Sequence, residues 1–332
     1  MTKKNENYFI SISLIRIIAI LLITNTHMNN VYPNENIAVG GFIGDILFFV
    51  VSGFGLYKNT YETRFLQWYS KRILRIYPVV WICTIIYTIL GVYDFNFKTF
   101  FSQYFYPTNY HFVGSIVLLY FFFYFLILYK KIPIKSIAVF TLGVGIIIYI
   151  CLFDKSYYHI DAVEEWFVKF IYFEGMIFGA YIKKNINNLI KVLKKYQKVL
   201  LFSIPISSVF YFVTKIGFSR AILPLSLQIL NQFTVFILVI NISLLLVSYN
   251  TFLEKKLNRF KKNIISFSML SLEIYLVQKP IISLLETFFF PLNLLIILVV
   301  ILCSAYALNK VNLLIYNILH KKLIDSTNFI HS

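Results

Sequence analysis

Charge is what this chain has least of. Asp, Glu, Lys and Arg make up 14% of its 332 residues, against about 25% in soluble globular proteins, and that shortage excludes an ordinary water-soluble domain. Cysteine is also scarce: Cys83, Cys151 and Cys303 fall singly in apolar stretches, so neither a disulfide framework nor a cysteine-bound metal is expected. His, Asp and Glu nowhere take up metal-ligand spacing, and no metal is expected at all. The chain has no Gly-rich phosphate loop, no Ser-His-Asp pattern and no convincing internal repeat. No polar stretch is long enough for a separate soluble domain.

What fills the chain instead is apolar sequence, with 59% hydrophobic residues and a mean hydropathy of +0.75. Repeated apolar stretches of about 20 residues are the length that crosses a bilayer as a helix. They mark an all-α, polytopic membrane protein with about ten transmembrane helices. The expected spans are 8–28, 38–57, 73–92, 112–130, 134–153, 166–183, 199–214, 225–249, 266–286 and 289–309. The first is too long for a signal peptide and lacks a small-residue cleavage site, so it is read as a span. Residues 1–332 are expected to form a single integral membrane domain.

A net charge of +17 would suit nucleic acid, but its distribution argues otherwise. If the N-terminus is cytoplasmic, most of the 31 Lys and Arg fall on the inner side. They lie at Lys3 and Lys4, in 58–75, 130–135, 183–198 and 254–263, and after Asn309. Lys98, Lys155, Lys215, Arg220 and Lys279 are left near the outer side. That is the positive-inside pattern. Both termini are expected in the cytoplasm, and no nucleic-acid partner is expected. The Ile, Lys, Asn, Phe and Tyr bias agrees with an AT-rich, bacterial genome.

Two ionisable residues stand inside the first span, where each costs about 2.5–3.5 kcal/mol on insertion scales. Arg16 and His27 are eleven positions apart. A helix turns about 100° and rises about 1.5 Å per residue, so they share one face with about 16 Å between them. A function that reaches between two depths is one reading. The other has Arg16 neutralising a buried acid such as Glu174 or Glu273 while His27 sits at the interface. Arg72 and Arg75, at the start of the third span, are neighbours on one helix face and can each grip phosphate oxygens in a bidentate fork. Ordinary positive-inside anchoring explains either one alone.

Gly40, Gly44, Ser52 and Gly53 let the second span approach other helices closely. Asp45 among them needs a partner and lies near the depth of His27, whose imidazole it could orient. Glu174 and Glu273 lie in apolar spans and are expected to pair with Arg16 or Lys169. Lys279-Pro280 either contacts an acidic acceptor or snorkels to the interface. His111 and His159 fall in outer segments, as bystanders. The loop 154–165, D-K-S-Y-Y-H-I-D-A-V-E-E, has the aromatic and acidic content of a sugar-binding surface and equally of a plain exposed loop.

Five of these segments together carry a resemblance. They are R-x10-H in the first span, F-F-V-V-S-G-F at 48–54, R-x-x-R-I-Y-P at 72–78, F-E-G-M-I-F-G at 173–179 and S-L-E-I-Y-L-V-Q at 271–278. In this order and register the chain resembles the acyltransferase-3 family of integral membrane acyltransferases. The resemblance implies transfer of an acyl group, usually acetyl and sometimes succinyl, from cytoplasmic acyl-CoA to a hydroxyl of a glycan or other acceptor outside the cell membrane. Its partners would be acyl-CoA, an envelope glycan, the bilayer and proteins of polysaccharide biosynthesis.

Arg16 and His27 match the family's essential Arg and His, and Arg72 and Arg75 its Arg pair. Tyr77 stands with that pair among the expected donor-binding residues. Glu174, Glu273 and Gln278 are candidates for substrate binding. Two departures stand out. The family's Asp in the second span aligns with Ile46, so Asp45 is displaced by one position, about 100° round the helix. Where the family's penultimate stretch often ends in His, this chain has Gln278.

A pantetheine arm is on the order of the same 16 Å. With its phosphates at Arg72 and Arg75, the thioester could pass Arg16, which would hold the arm or offset oxyanion charge. At its end His27 would act as general base on an acceptor hydroxyl, or accept the acyl group itself. The alternative function is an exporter of polysaccharide or of a lipid-linked intermediate, for which inverted repeats and broken spans would be expected. Pro205, Pro224 and Pro280 leave room for the latter.

Overall fold

The computed structural model describes residues 9–58, 64–94, 96–107, 110–129, 132–163 and 165–329. Of the cations that carry the charge asymmetry, Lys3, Lys4, Lys130 and Lys131 lie outside them. Every regular element among the described residues is helical. The helices are α1 (Ile10–Thr26), α2 (Gly41–Leu56), α3 (Phe65–Ile89), α4 (Phe97–Tyr104), α5 (His111–Phe123, continued by a π-turn over Tyr124–Tyr129), α6 (Ile134–Leu152) and α7 (Val168–Leu193). They continue as α8 (Gln197–Ser219), α9 (Ile229–Ser248), α10 (Asn250–Lys256), α11 (Lys261–Met269), α12 (Ser271–Leu285) and α13 (Leu292–Phe329).

Each of the ten apolar stretches coincides with helix. Among the described residues, seven helical runs are long and apolar enough to cross a membrane, or eight if α11 and α12 are one broken span. α1 falls short of that length. One run, Val168–Ser219, joins α7 to α8 without a break over 52 residues, about 78 Å of helix. That is more than twice a hydrocarbon core. Lys183, Lys184, Lys191, Lys194, Lys195 and Lys198 occupy its middle, so its two apolar ends are separate spans.

The described residues gather into two compact units. One holds those within 1–23, 40–60 and 125–269, the other those within 24–39, 61–124 and 270–332.

In the first unit α2 is the core element, buried along almost its whole length. Its packing is backbone against backbone. A Cβ added at Gly53 would sit 1.9 Å from the Met176 carbonyl oxygen, and one at Gly179 1.9 Å from that of Val50. Gly44 meets α1 in the same way, 2.6 Å from the Ala19 oxygen. Close approach through small residues is how helices associate where lipid removes any hydrophobic drive between them. Phe49 stacks on Tyr172 across α2 and α7, with ring centroids 4.4 Å apart. Of the small residues singled out in the second span, Gly44 and Gly53 make these contacts, Gly44 with Ala19 of α1 and Gly53 with Met176 of the 173–179 segment.

Polar side chains tie the rest of this unit. Ser11 donates through its hydroxyl to Asn250 Oδ1 at 2.9 Å. α8 and α9 pair antiparallel through Thr214 with Asn231 and Thr234, and through Asn241 with Ser207. The loop after α6 is clamped rather than open. Gln228 accepts from the His159 and Ile160 N–H groups and donates to the Tyr157 carbonyl. His159 is 8% exposed, stacked between Phe153 and Tyr157, with Nδ1 2.9 Å from Glu165. Two hydrogen bonds from Ser156 hold the Asp154 carboxyl below the usual carboxylate range.

The second unit is built on α3, α5, α12 and α13. α3 and α5 run antiparallel, with the Tyr69 hydroxyl donating to the Val117 carbonyl at 3.1 Å and Trp68 packed on Tyr120 and Tyr124. α4 was not expected. Its end folds back on α3, where Trp81 Nε1 donates to the Tyr104 carbonyl at 2.8 Å and the Tyr77 hydroxyl to that of Phe105. Those two side chains stand about 12 and 18 Å back along α3 from Ile89. The chain at the end of α4 therefore lies back along α3.

The α2–α7 contact predicts a sharp contrast between glycines. Gly179→Ala should destabilise the protein by about 1–3 kcal/mol through overpacking, read as a lowered Tm in detergent. Gly55→Ala, with nothing within 4 Å of the new Cβ, should be neutral or slightly stabilising, by at most about 1 kcal/mol. Equal melting of the two variants would contradict the packing.

Candidate active site

Arg16 lies in the second turn of α1, half-buried, and its Nη1 donates to the Met269 sulfur at 3.4 Å. His27 is the first residue past the helix. Its N–H bonds the Thr24 carbonyl at 3.1 Å, so the winding continues as one tighter turn. Its imidazole is half-buried.

The segment around His27 is held from several directions, all within the second unit. Asn25 donates to the Ile37 and Val39 carbonyls at 2.8 and 2.9 Å and accepts from the Tyr32 hydroxyl at 2.8 Å. Partial burial pushes the Tyr32 hydroxyl above its usual pKa. Thr24 donates to Gln278 Oε1 at 2.7 Å, and Asn30 donates to Glu286 Oε2 at 3.2 Å. His27 stands three residues from each of these anchors. Both lead to α12.

α12 is itself braced at this level. Pro280 lacks the N–H that a helix would give to the carbonyl four residues earlier, which is that of Leu276. The Tyr87 hydroxyl of α3 takes up this oxygen at 2.9 Å. Sequence reasoning noted Pro280 as a possible break but missed its consequence. A proline inside a helix orphans a known carbonyl and calls for a donor from elsewhere.

Arg72 and Arg75 are one turn apart on α3, as their spacing required. The Arg72 guanidinium lies 4.3 Å from the Trp68 ring centroid and donates to the Trp68 carbonyl at 2.8 Å. Arg75 is exposed, and its backbone oxygen accepts from Asn312 at 3.4 Å. Tyr77 is buried, with its hydroxyl given to Phe105.

The buried acids have partners other than those expected. Glu174 accepts from the Thr141 hydroxyl. Glu273 accepts from Asn309 at 2.8 Å and from Asn312 at 3.5 Å. Neither makes an ion pair among the described residues. Pairing of Glu174 with Lys169 fails on geometry, because five residues along a helix place two side chains about 140° apart. Asp45 accepts from the Tyr172 hydroxyl at 3.0 Å. Asn309 closes the last expected span, and Asn312 lies in the stretch after it, read from sequence as a cytoplasmic tail. α13 continues through them, and Asn312 is buried.

A comparison with protein-family models matches residues 9–309 to the acyltransferase-3 family, described as an acyltransferase domain. The chain belongs to the acyltransferase-3 family. No curated protein and no solved structure matches it. As a member of this family it is a membrane acyltransferase, with several apolar helices long enough to span a bilayer. Within the acyltransferase-3 frame, the second unit by itself holds an imidazole, a buried amide, a buried carboxylate and two guanidiniums, all placed by helices. These groups suffice to take up a proton, donate to a carbonyl oxygen and bind phosphate.

The bracing of α12 is open to a double-mutant cycle. Tyr87→Phe should cost about 1–3 kcal/mol by orphaning the Leu276 carbonyl. In a Pro280→Ala background, where the substituted alanine supplies the missing N–H, the same change should cost clearly less. Additivity of the two substitutions in unfolding free energy would refute the link.

Proposed function

We propose that this protein is an O-acyltransferase that moves an acyl group, most simply acetyl, from cytoplasmic acyl-CoA to a hydroxyl of an extracytoplasmic envelope glycan. The observation that carries this reading is the family match together with the setting of His27. His27 sits where α1 ends, and hydrogen bonds from Thr24 and Asn30 hold the chain on both sides of it.

The roles follow from each residue's chemistry. Arg72 and Arg75 bind the donor's phosphates at one end of α3 as planar, permanently charged forks. Tyr77 shapes that region by holding the chain after α4. Arg16, on the helix that ends beside His27, offsets charge along the acyl-pantetheine arm. His27 acts as general base. It takes the proton from the acceptor hydroxyl while the new C–O bond forms, and returns it to the thiolate released when the C–S bond breaks. Products are the ester and free CoA. Asp45, bonded to Tyr172, and Glu174, bonded to Thr141, support the helices of the first unit, and Glu273, bonded to Asn309, those of the second.

His27→Ala should abolish incorporation of labelled acetate into surface glycan while the protein reaches the membrane at normal level. Arg72→Ala and Arg75→Ala should each raise the KM for acyl-CoA by about 10- to 100-fold, the loss of one charge-assisted contact, with a smaller change in kcat. An exporter would behave differently. Its loss would lower the amount of surface glycan and leave the acyl content per sugar unchanged, and that result would overturn the proposal.

A further inference from the structure

We propose that the side-chain amide of Gln278 is the oxyanion donor for acyl transfer at His27. This inference rests on the reading of His27 as the reacting base and adds the group that receives the charge.

Three observations converge on the Nε2 of Gln278. The residue is completely buried, with no exposed surface. Its Oε1 accepts from the Thr24 hydroxyl at 2.7 Å, which fixes the last side-chain torsion and points the NH₂ group away from Thr24. That NH₂ group has no hydrogen-bond partner among the described residues. A buried donor left unmade costs about 1–3 kcal/mol, a cost that an arriving oxygen atom would recover.

Its position says which group. Thr24, the residue that orients Gln278, is three positions before His27 on the same winding turn. Residues at that spacing are neighbours, about 5–6 Å between Cβ atoms. The Asn30–Glu286 bond ties the chain on the far side of His27 to the same helix. The backbone next to Gln278 is set by Pro280 and the Tyr87–Leu276 bond. A buried, neutral donor thus stands on the helix that is tied to the chain on both sides of His27. Such donors stabilise acyl-transfer intermediates most effectively.

The step balances as follows. The acceptor oxygen attacks the thioester carbon as His27 removes its proton, and the carbonyl electron pair moves onto oxygen. The resulting oxyanion accepts from Gln278 Nε2. Collapse restores the carbonyl, breaks the C–S bond and releases the thiolate, which recovers the proton from the imidazolium.

The test uses the full-length protein in membranes, with [¹⁴C]acetyl-CoA as donor and alkali-de-esterified surface glycan as acceptor. Gln278→Met, which fills the space without a donor, should lower kcat by about 10²- to 10³-fold while the KM for acetyl-CoA stays within about three-fold. Gln278→His, which keeps an N–H, should retain activity within about ten-fold of the wild type. Thr24→Val should lower kcat by about ten-fold by freeing the amide to rotate. A Gln278→Met enzyme with kcat within about three-fold of wild type, or a Gln278→His enzyme as impaired as Gln278→Met, would overturn the proposal.

If Gln278→Met does not reach the membrane, Thr24→Val decides. A loss in kcat at unchanged KM supports the role, and an unchanged kcat refutes it. His27→Ala is assayed alongside. Activity in that variant would sink the His27 reading itself, whereas an inactive His27→Ala with an active Gln278→Met would remove only the oxyanion role.

Discussion

Inside a bilayer a polar group has no water to turn to, so another part of the chain must answer it. That constraint organises both units. In the first, α2 and α7 come so close that glycine is the only residue that fits at Gly53 and Gly179. In the second, buried carboxylate, amide and carbonyl groups are paired across helices, with Glu273 bound by two asparagines and the carbonyl freed by Pro280 bound by Tyr87. The exceptions matter for function. Among the buried polar atoms without a hydrogen-bond partner in the described residues, Gln278 Nε2 belongs to the helix that is tied to the chain around His27.

The same constraint explains why the buried acids meet neutral donors. An ion pair in a low-dielectric interior must overcome the desolvation of two charges, and it does so only with excellent geometry. A hydroxyl or an amide answers a carboxyl group without that second charge. Thr141 does this for Glu174, and Asn309 for Glu273. The cations of the spans go elsewhere: Arg16 toward a methionine sulfur and Arg72 over a tryptophan face.

Much of the fold was legible in the sequence, for a simple reason. A span needs about 20 apolar residues, and that signal is strong enough to place a helix at all ten stretches. α4 was invisible because a turn of eight residues, rich in aromatic and polar side chains, has no such signature. The reach of α13 was missed because Asn309 and Asn312 look like the close of a span and the polar tail after it. They are polar toward Glu273, not toward water. Among the candidate residues, Arg16, His27, Arg72 and Arg75 were readable as costly charges at helical spacing. Thr24 and Tyr87 were not, because their importance lies wholly in what they touch.

The account turns on acyl transfer across the membrane, from a donor on one side to a hydroxyl on the other. Sealed inside-out vesicles supplied externally with membrane-impermeant labelled acetyl-CoA test it directly. The account predicts labelled ester on lumenal glycan, resistant to added esterase until the vesicles are opened. Label found only on acceptor outside the vesicles, on the same side as the donor, would contradict it.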